Sequence, residues 1–261
     1  SMDPSATSVS LNSISHAIWN VRSHGCLAFV PFTVIGYPDL ATSIYALNVL
    51  KEANVSVYET AFPVLKGWTN ETNRTIQHAL RVAWQNKVSE EDVVRIYSQY
   101  RPNILVAYRP RVHNFQKAFA SLSGIFDGLL LEWQTRRFRE AYQTARKNNL
   151  QLIQAFSPLC TRNEISFRLK SCEGFIYLCV APKTGAQMYP VRLISDCIRR
   201  LKEKSSLPIC CAFGIRKVAD VRKIAECGAD GFVVGSAVLQ AIGKSRRCFH
   251  RLVRDLEEAS I

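Results

Sequence analysis

No apolar run in this chain approaches the roughly 20 residues that a helix needs to cross a bilayer, so a helical membrane span is not expected. The first residues, Ser1-Met2-Asp3-Pro4, lack a basic region followed by an apolar one. Residues 1–13 are therefore expected to be a disordered start with an expression scar, not a signal peptide. The five histidines, His16, His24, His78, His113 and His250, are dispersed, and none has a cysteine or acid at ligand or triad spacing. The nine cysteines are an odd number and form no metal pattern. Cys160 and Cys172 have no histidine at ligand spacing, and Cys179, Cys210 and Cys211 sit in apolar runs where a thiol serves as a small hydrophobe. No metal, no cofactor and no triad nucleophile are expected, and free thiols suit a reducing, cytoplasmic setting. Linkers, low-complexity tracts and a second domain are also missing.

Acidic residues are scarce: 34 Lys and Arg stand against 21 Asp and Glu, a formal net charge of +13. Such a balance raises the question of nucleic acid. The cations are spread out, however, as in Arg136, Arg137 and Arg139 or Arg216, Lys217, Arg222 and Lys223. Most lie on the polar side of helix-like segments, with neither aromatic interleaving nor zinc-finger spacing. They read as solvated outer helices, and a nucleic-acid partner is not expected.

What is present is alternation. Short, continuously apolar segments at 27–35, 55–61, 103–108, 127–131, 150–156, 174–180, 208–213 and 231–235 read as buried parallel strands. Amphipathic stretches lie between them, as at 39–53, 75–84 and 191–204. Eight strands alternating with helices in 261 residues predict a single (β/α)8 barrel over 14–261. An open doubly wound sheet would want fewer strands and a glycine fingerprint in its first turn, which Gly25-Cys26-Leu27 does not supply. A helix over 11–23 should cap the barrel bottom. An extra helix is expected near 89–100, with Ser89 as N-cap and Glu90, Glu91 and Asp92 at its positive end.

The strongest signal is C-terminal. Cys211-Ala212-Phe213-Gly214-Ile215 and Gly231-Phe232-Val233-Val234-Gly235-Ser236 each read as a strand running into a glycine turn and then a helix. Two such turns put free N–H groups and a helix N-terminus on one side of a parallel sheet, an arrangement that holds phosphate. That place, after the last two strands, is where barrels usually bind phosphate. Gly214, Gly235 and Ser236 are the phosphate candidates, and a phosphorylated small molecule is the expected ligand. Glu59 is the second signal. A lone acid closing an apolar strand points into the barrel mouth, where desolvation raises a carboxyl pKa toward the acid–base range.

The segments Phe29-Val30-Pro31-Phe32-Thr33-Val34-Ile35-Gly36-Tyr37-Pro38-Asp39-Leu40, Val57-Tyr58-Glu59-Thr60-Ala61-Phe62-Pro63, Gly174-Phe175-Ile176-Tyr177 and Lys183-Thr184-Gly185-Ala186, with the two glycine turns, resemble the tryptophan synthase α subunit family. The resemblance runs from about residue 14 to the end. It implies a (β/α)8 lyase of tryptophan biosynthesis that cleaves indole-3-glycerol phosphate to indole and glyceraldehyde 3-phosphate by a retro-aldol. It also implies a β-subunit partner that carries pyridoxal phosphate. Glu59 matches one of the family's two catalytic carboxylates, Thr184 and Gly185 match the loop that closes beside the phosphate, and Phe32 and Phe213 match the walls around the aromatic ring. Tyr177, on the sixth strand, joins the expected pocket.

Departures cluster at the reacting end. The family loop Pro-Phe-Ser-Asp-Pro-x-Ala-Asp-Gly-Pro becomes Pro63-Val64-Leu65-Lys66-Gly67-Trp68-Thr69-Asn70-Glu71-Thr72, which sets Asn70 where the second carboxylate belongs, with Glu71 one residue on. Asparagine can accept the indole N–H but carries no charge to stabilise a developing cation. Aligned on Pro110, Ala107 takes a substrate-facing tyrosine position, beside Tyr108, and Arg109 replaces an asparagine. Trp133 follows the fourth strand, where an aspartate is usual. Lys66 and Arg109 add positive charge to the loops that dock the β subunit, which counts against that partner. The expected activity is thus the lyase reaction on indole-3-glycerol phosphate or a related aryl-glycerol phosphate. The alternatives are a barrel repurposed for another phosphorylated substrate in specialised metabolism and an inactive phosphate-binding regulator.

Overall fold

The computed structural model describes residues 13–53, 55–63, 73–108, 110 and 112–261, with the backbone alone at 13 and 108. Strands β1 (Ala28–Thr33), β2 (Tyr58–Thr60), β3 (Asn103–Tyr108), β4 (Gly128–Leu131), β5 (Gln151–Phe156), β6 (Ile176–Cys179), β7 (Ile209–Ala212) and β8 (Gly231–Val234) pair in chain order and close into a parallel barrel. β8 returns to β1 through Ala28 opposite Gly231 and Pro31 opposite Val234. Most strands are shorter than the apolar runs that predict them. Val57 and Ala61, for example, stay buried on either side of β2 but lie outside the strand.

The helices are α1 (Ser13–Ser23), α2 (Leu40–Glu52), α3 (Arg74–Gln85), α4 (Glu90–Tyr97), α5 (Phe115–Ala120), α6 (Phe138–Lys147), α7 (Arg162–Leu169), α8 (Val191–Lys202), α9 (Val218–Glu226), α10 (Ser236–Lys244) and α11 (Arg246–Ala259). None of them is long and apolar enough to cross a membrane. α4 is the extra helix. Its capping box joins Ser89 to Asp92, and three acids occupy its first turn, so orphan N–H groups and the positive helix end are both matched.

Side-chain alternation sorts the core into two shells. Ala28, Val30, Phe32, Ile104, Val106, Leu130, Ile153, Tyr177, Cys210 and Val233 fill the barrel interior. Leu105, Leu129, Leu131, Leu152, Leu178, Cys211 and Phe232 face the helices. Ile14 and Ile18 of α1 are fully buried against the interior shell, and the Ser15 hydroxyl donates to the Gly174 carbonyl. The plug leaves no room for side chains nearby: a methyl on Gly128 would meet Ile153 at 2.7 Å and Ile14 at 3.0 Å. With the bottom filled in this way, a ligand can enter only at the C-terminal ends of the strands.

Candidate active site

Glu59 is the inward residue of the three-residue β2, with Phe32 of β1 and Ile104 of β3 as its ladder partners. Its neighbours Tyr58 and Thr60 point the other way by the period of two, so the carboxylate enters the barrel. It is 2% exposed. The strand behind it is held by α4. The fully buried Tyr97 hydroxyl donates to the Glu59 carbonyl at 3.3 Å and bonds the Thr33 hydroxyl, while the Thr60 hydroxyl donates to the Thr33 carbonyl at 2.8 Å. Burial pushes the Tyr97 phenol well above its ordinary value, so it stays a donor at any physiological pH.

Across the mouth, the chain after β7 turns through two residues of positive φ, Phe213 at 68° and Gly214 at 68°. A left-handed phenylalanine costs about 1–2 kcal/mol. The conformation sets the ring edge-on to Tyr177, with centroids 6.1 Å apart. Gly214 is enclosed as well: a methyl there would lie 3.1–3.2 Å from Met188, Ala181 and the Ala186 carbonyl. After β8, Gly235 is the N-cap of α10 and Ser236 its first residue, with no side-chain cap on the helix. The first N–H groups of α10 therefore remain for a ligand.

These pieces line one cleft. Phe32, Glu59, Tyr177, Thr184, Gly185, Phe213, Gly214, Gly235 and Ser236 share its wall. Asn73 ties its rim together, accepting from the Ile76 N–H at 3.1 Å as the N-cap of α3 and donating to the Thr184 carbonyl at 3.2 Å. The N-terminus of α3 and the loop after β6 are thus bridged beside the cleft.

Two expected residues stand elsewhere. Ala107 belongs to the outer shell, and Val106 takes the inward place in the cleft wall. The cause is the alternation along β3, in which Ile104 and Val106 face the interior and Leu105 and Ala107 face the helices. Trp133 is not in the cleft wall. Its ring is stacked by the buried Arg168 guanidinium, 5.6 Å from the centroid. Tyr108 ends β3 with its side chain outside what is described, and Asn70, Glu71, Arg109 and Lys66 lie outside the described residues. Among the described residues, no group of His, Cys, Asp and Glu could hold a metal ion.

The sequence reading missed Ile76, Val106, Ile215, Arg216 and Val233, all in the cleft wall. Strict alternation from Ile104 would have found Val106, and Arg216 is the second residue beyond the Gly214 turn.

The family described as Tryptophan synthase alpha chain matches residues 19–260. The tryptophan synthase alpha chain of Methanothermobacter thermautotrophicus is 30% identical over 241 residues, covering 88% of each chain. That of Arabidopsis thaliana is 26% identical over 255 residues, covering 94% of this chain and 92% of the relative. Among solved structures, a protein of Aquifex aeolicus VF5 superposes with a TM-score of 0.84 at 23% identity, covering 95% of this chain and 98% of its own. A chain of tryptophan synthase from M. tuberculosis gives 0.81 at 19%, covering 95% and 99%, which speaks to the fold alone. The interior carboxylate of β2, the glycine turns after β7 and β8, and a family match over nearly the whole length agree: this chain belongs to the tryptophan synthase alpha chain family.

Proposed function

We propose that this chain cleaves indole-3-glycerol phosphate, or a related aryl-glycerol phosphate, to indole and glyceraldehyde 3-phosphate. The observation that carries the reading is one cleft that joins a buried carboxylate, an aromatic wall and two glycine turns. Gly214, Gly235 and Ser236 hold the phosphate through backbone N–H groups and the α10 N-terminus, with Thr184 and Gly185 closing over it. Phe32, Tyr177 and Phe213 flank the ring.

The reaction breaks the bond between the ring carbon and the glycerol chain. A proton is delivered to the ring carbon, the hydroxyl proton on the neighbouring glycerol carbon is removed, and the bonding pair stays with the ring as the carbonyl forms. Glu59 performs the proton transfer, since its carboxylate is the interior acid of this wall. Asn70 or Glu71 accepts the indole N–H from the loop that follows β2. The tryptophan synthase β subunit is the natural partner of this activity, with Lys66 and Arg109 altering the loops that would meet it.

Indole release by the purified chain, with Glu59→Gln as control, tests the proposal. Release that depends on Glu59 supports it. Phosphate binding without release would instead favour another phosphorylated substrate or a regulatory barrel.

A further inference from the structure

The cleft wall does not end at the phosphate turns. Beyond Thr184, Gly185 and Ser236 it opens into a surface groove of about 510 Å³, whereas the deep cleft holds about 30 Å³. Arg74, Lys183 and Arg216 stand around this groove, all exposed, and its described lining contains no Asp or Glu. Among the described residues, none of the three side chains has an ion-pair or hydrogen-bond partner. Some exposed arginines elsewhere are matched, as Arg199 is by Glu203 at 2.8 Å and Arg101 and Arg137 are by Asp127 and Glu140; what sets these three cations apart is that they gather around one concavity.

The floor is neutral and braced. Gln240 of α10 donates to the Thr75 hydroxyl of α3 at 3.3 Å. The base of Arg216 is fixed, because the buried Asp220 carboxylate accepts its N–H at 2.9 Å and that of Lys217 at 3.2 Å. Arg216 lines both the deep cleft and the groove. Three cations around one groove repel one another until an anion enters, and Arg suits the oxygens of a phosphoryl group.

We propose that the groove holds a second phosphoryl group, immediately outside the first. It arrives either on one diphosphate ligand or as a separate anion beside a monophosphate. The inference rests on the phosphate site proposed above and leaves the chemistry at Glu59 unchanged.

The test is calorimetric titration of the full chain with inorganic phosphate and with pyrophosphate at matched ionic strength. Pyrophosphate should bind at least about tenfold more tightly. The triple variant Arg74→Ala/Lys183→Ala/Arg216→Ala should bring the two anions within about threefold, with pyrophosphate losing more affinity than phosphate, which keeps the backbone turns. Removing equal charge elsewhere, as Arg247→Ala/Arg251→Ala/Arg254→Ala on α11, should leave the preference intact. With glycerol 3-phosphate saturating the inner site, further uptake of inorganic phosphate marks a separate anion, and no further uptake marks a single diphosphate ligand. Equal affinities in the parent chain, or a preference that survives the first triple variant or is lost equally in the second, would refute the subsite while the phosphate cleft stands. Binding of neither anion would overturn the phosphate cleft as well.

Discussion

Glu59→Gln exchanges one carboxylate oxygen for an amide nitrogen and keeps the side chain's volume. The group sits 2% exposed at the mouth of the barrel, so the change falls on its charge and proton affinity, not on packing. A positioned acid–base group contributes about 10²–10⁴ in rate. At about 1.36 kcal/mol per decade, the variant should lose about 2.7–5.4 kcal/mol of transition-state stabilisation. Phosphate binding should hardly move. β1 lies between β2 and β8, and two inter-strand steps of about 4.8 Å set Gly235 roughly 10 Å from Glu59. The expected signature is therefore a fall in kcat with inorganic phosphate affinity changed by less than about twofold. Single-turnover indole release, phosphate titration and thermal unfolding on the same preparation read all three quantities. Activity within about threefold of the parent at equal Tm would remove Glu59 from the chemistry. A collapse in Tm would make it a structural group.

Three further outcomes are expected. Phe213→Gly should be more stable than Phe213→Ala by about 1 kcal/mol, because only glycine takes the left-handed conformation freely, and both should raise KM for an aromatic substrate; equal melting points would show that the turn carries no strain. Tyr97→Phe removes the phenol that bonds Thr33 and the Glu59 carbonyl, so thermal unfolding should show a loss of about 1–3 kcal/mol, with a smaller fall in kcat than Glu59→Gln; an unchanged Tm would mean that these contacts contribute nothing. Burial pushes the Cys197 thiol up to about 11 and Cys172 up to about 12, and it holds Cys210 and Cys211 well above the ordinary thiol value. At pH 8 these four stay protonated and shielded, so iodoacetamide followed by peptide mass spectrometry should label the half-buried Cys26 and Cys248 first, and equal labelling of Cys211 would contradict the buried placement.

The barrel was legible because each strand is a continuous apolar run and because Ser89-Glu90-Glu91-Asp92 spells a helix start within four residues. The glycine turns were legible for the same reason: a backbone site is written in the few residues that build it, as in Phe213-Gly214 and Gly235-Ser236. Ala107 shows where that local rule fails. Aligning on Pro110 sets it at a substrate-facing place, but the period of two counted from the interior Ile104 puts Val106 inside and Ala107 outside, and one residue turns a side chain to the other face of a strand. Trp133 failed differently. The group that claims its ring, Arg168, comes from α7, beyond α6 and β5, and no local pattern announces it.

Arg216 lies between these cases. It lies just past the Gly214 turn, yet beside Lys217, Arg222 and Lys223 it reads as one more solvated cation at the start of α9. What separates it from them is its place on the wall of the cleft and of the groove, with its own N–H held by Asp220 and no acid among the described residues that line the groove. Charge counted along a helix gives solubility; charge counted around a concavity gives recognition, and only the second count needs the fold. The same distinction explains the reacting end. The proposed phosphate grip is backbone and is carried by two short turns, and the proposed Glu59, Phe32 and Tyr177 stand on strands, whereas the second group proposed at the breaking bond, Asn70 or Glu71, belongs to the loop after β2, the kind of segment that changes length and register without disturbing the barrel beneath.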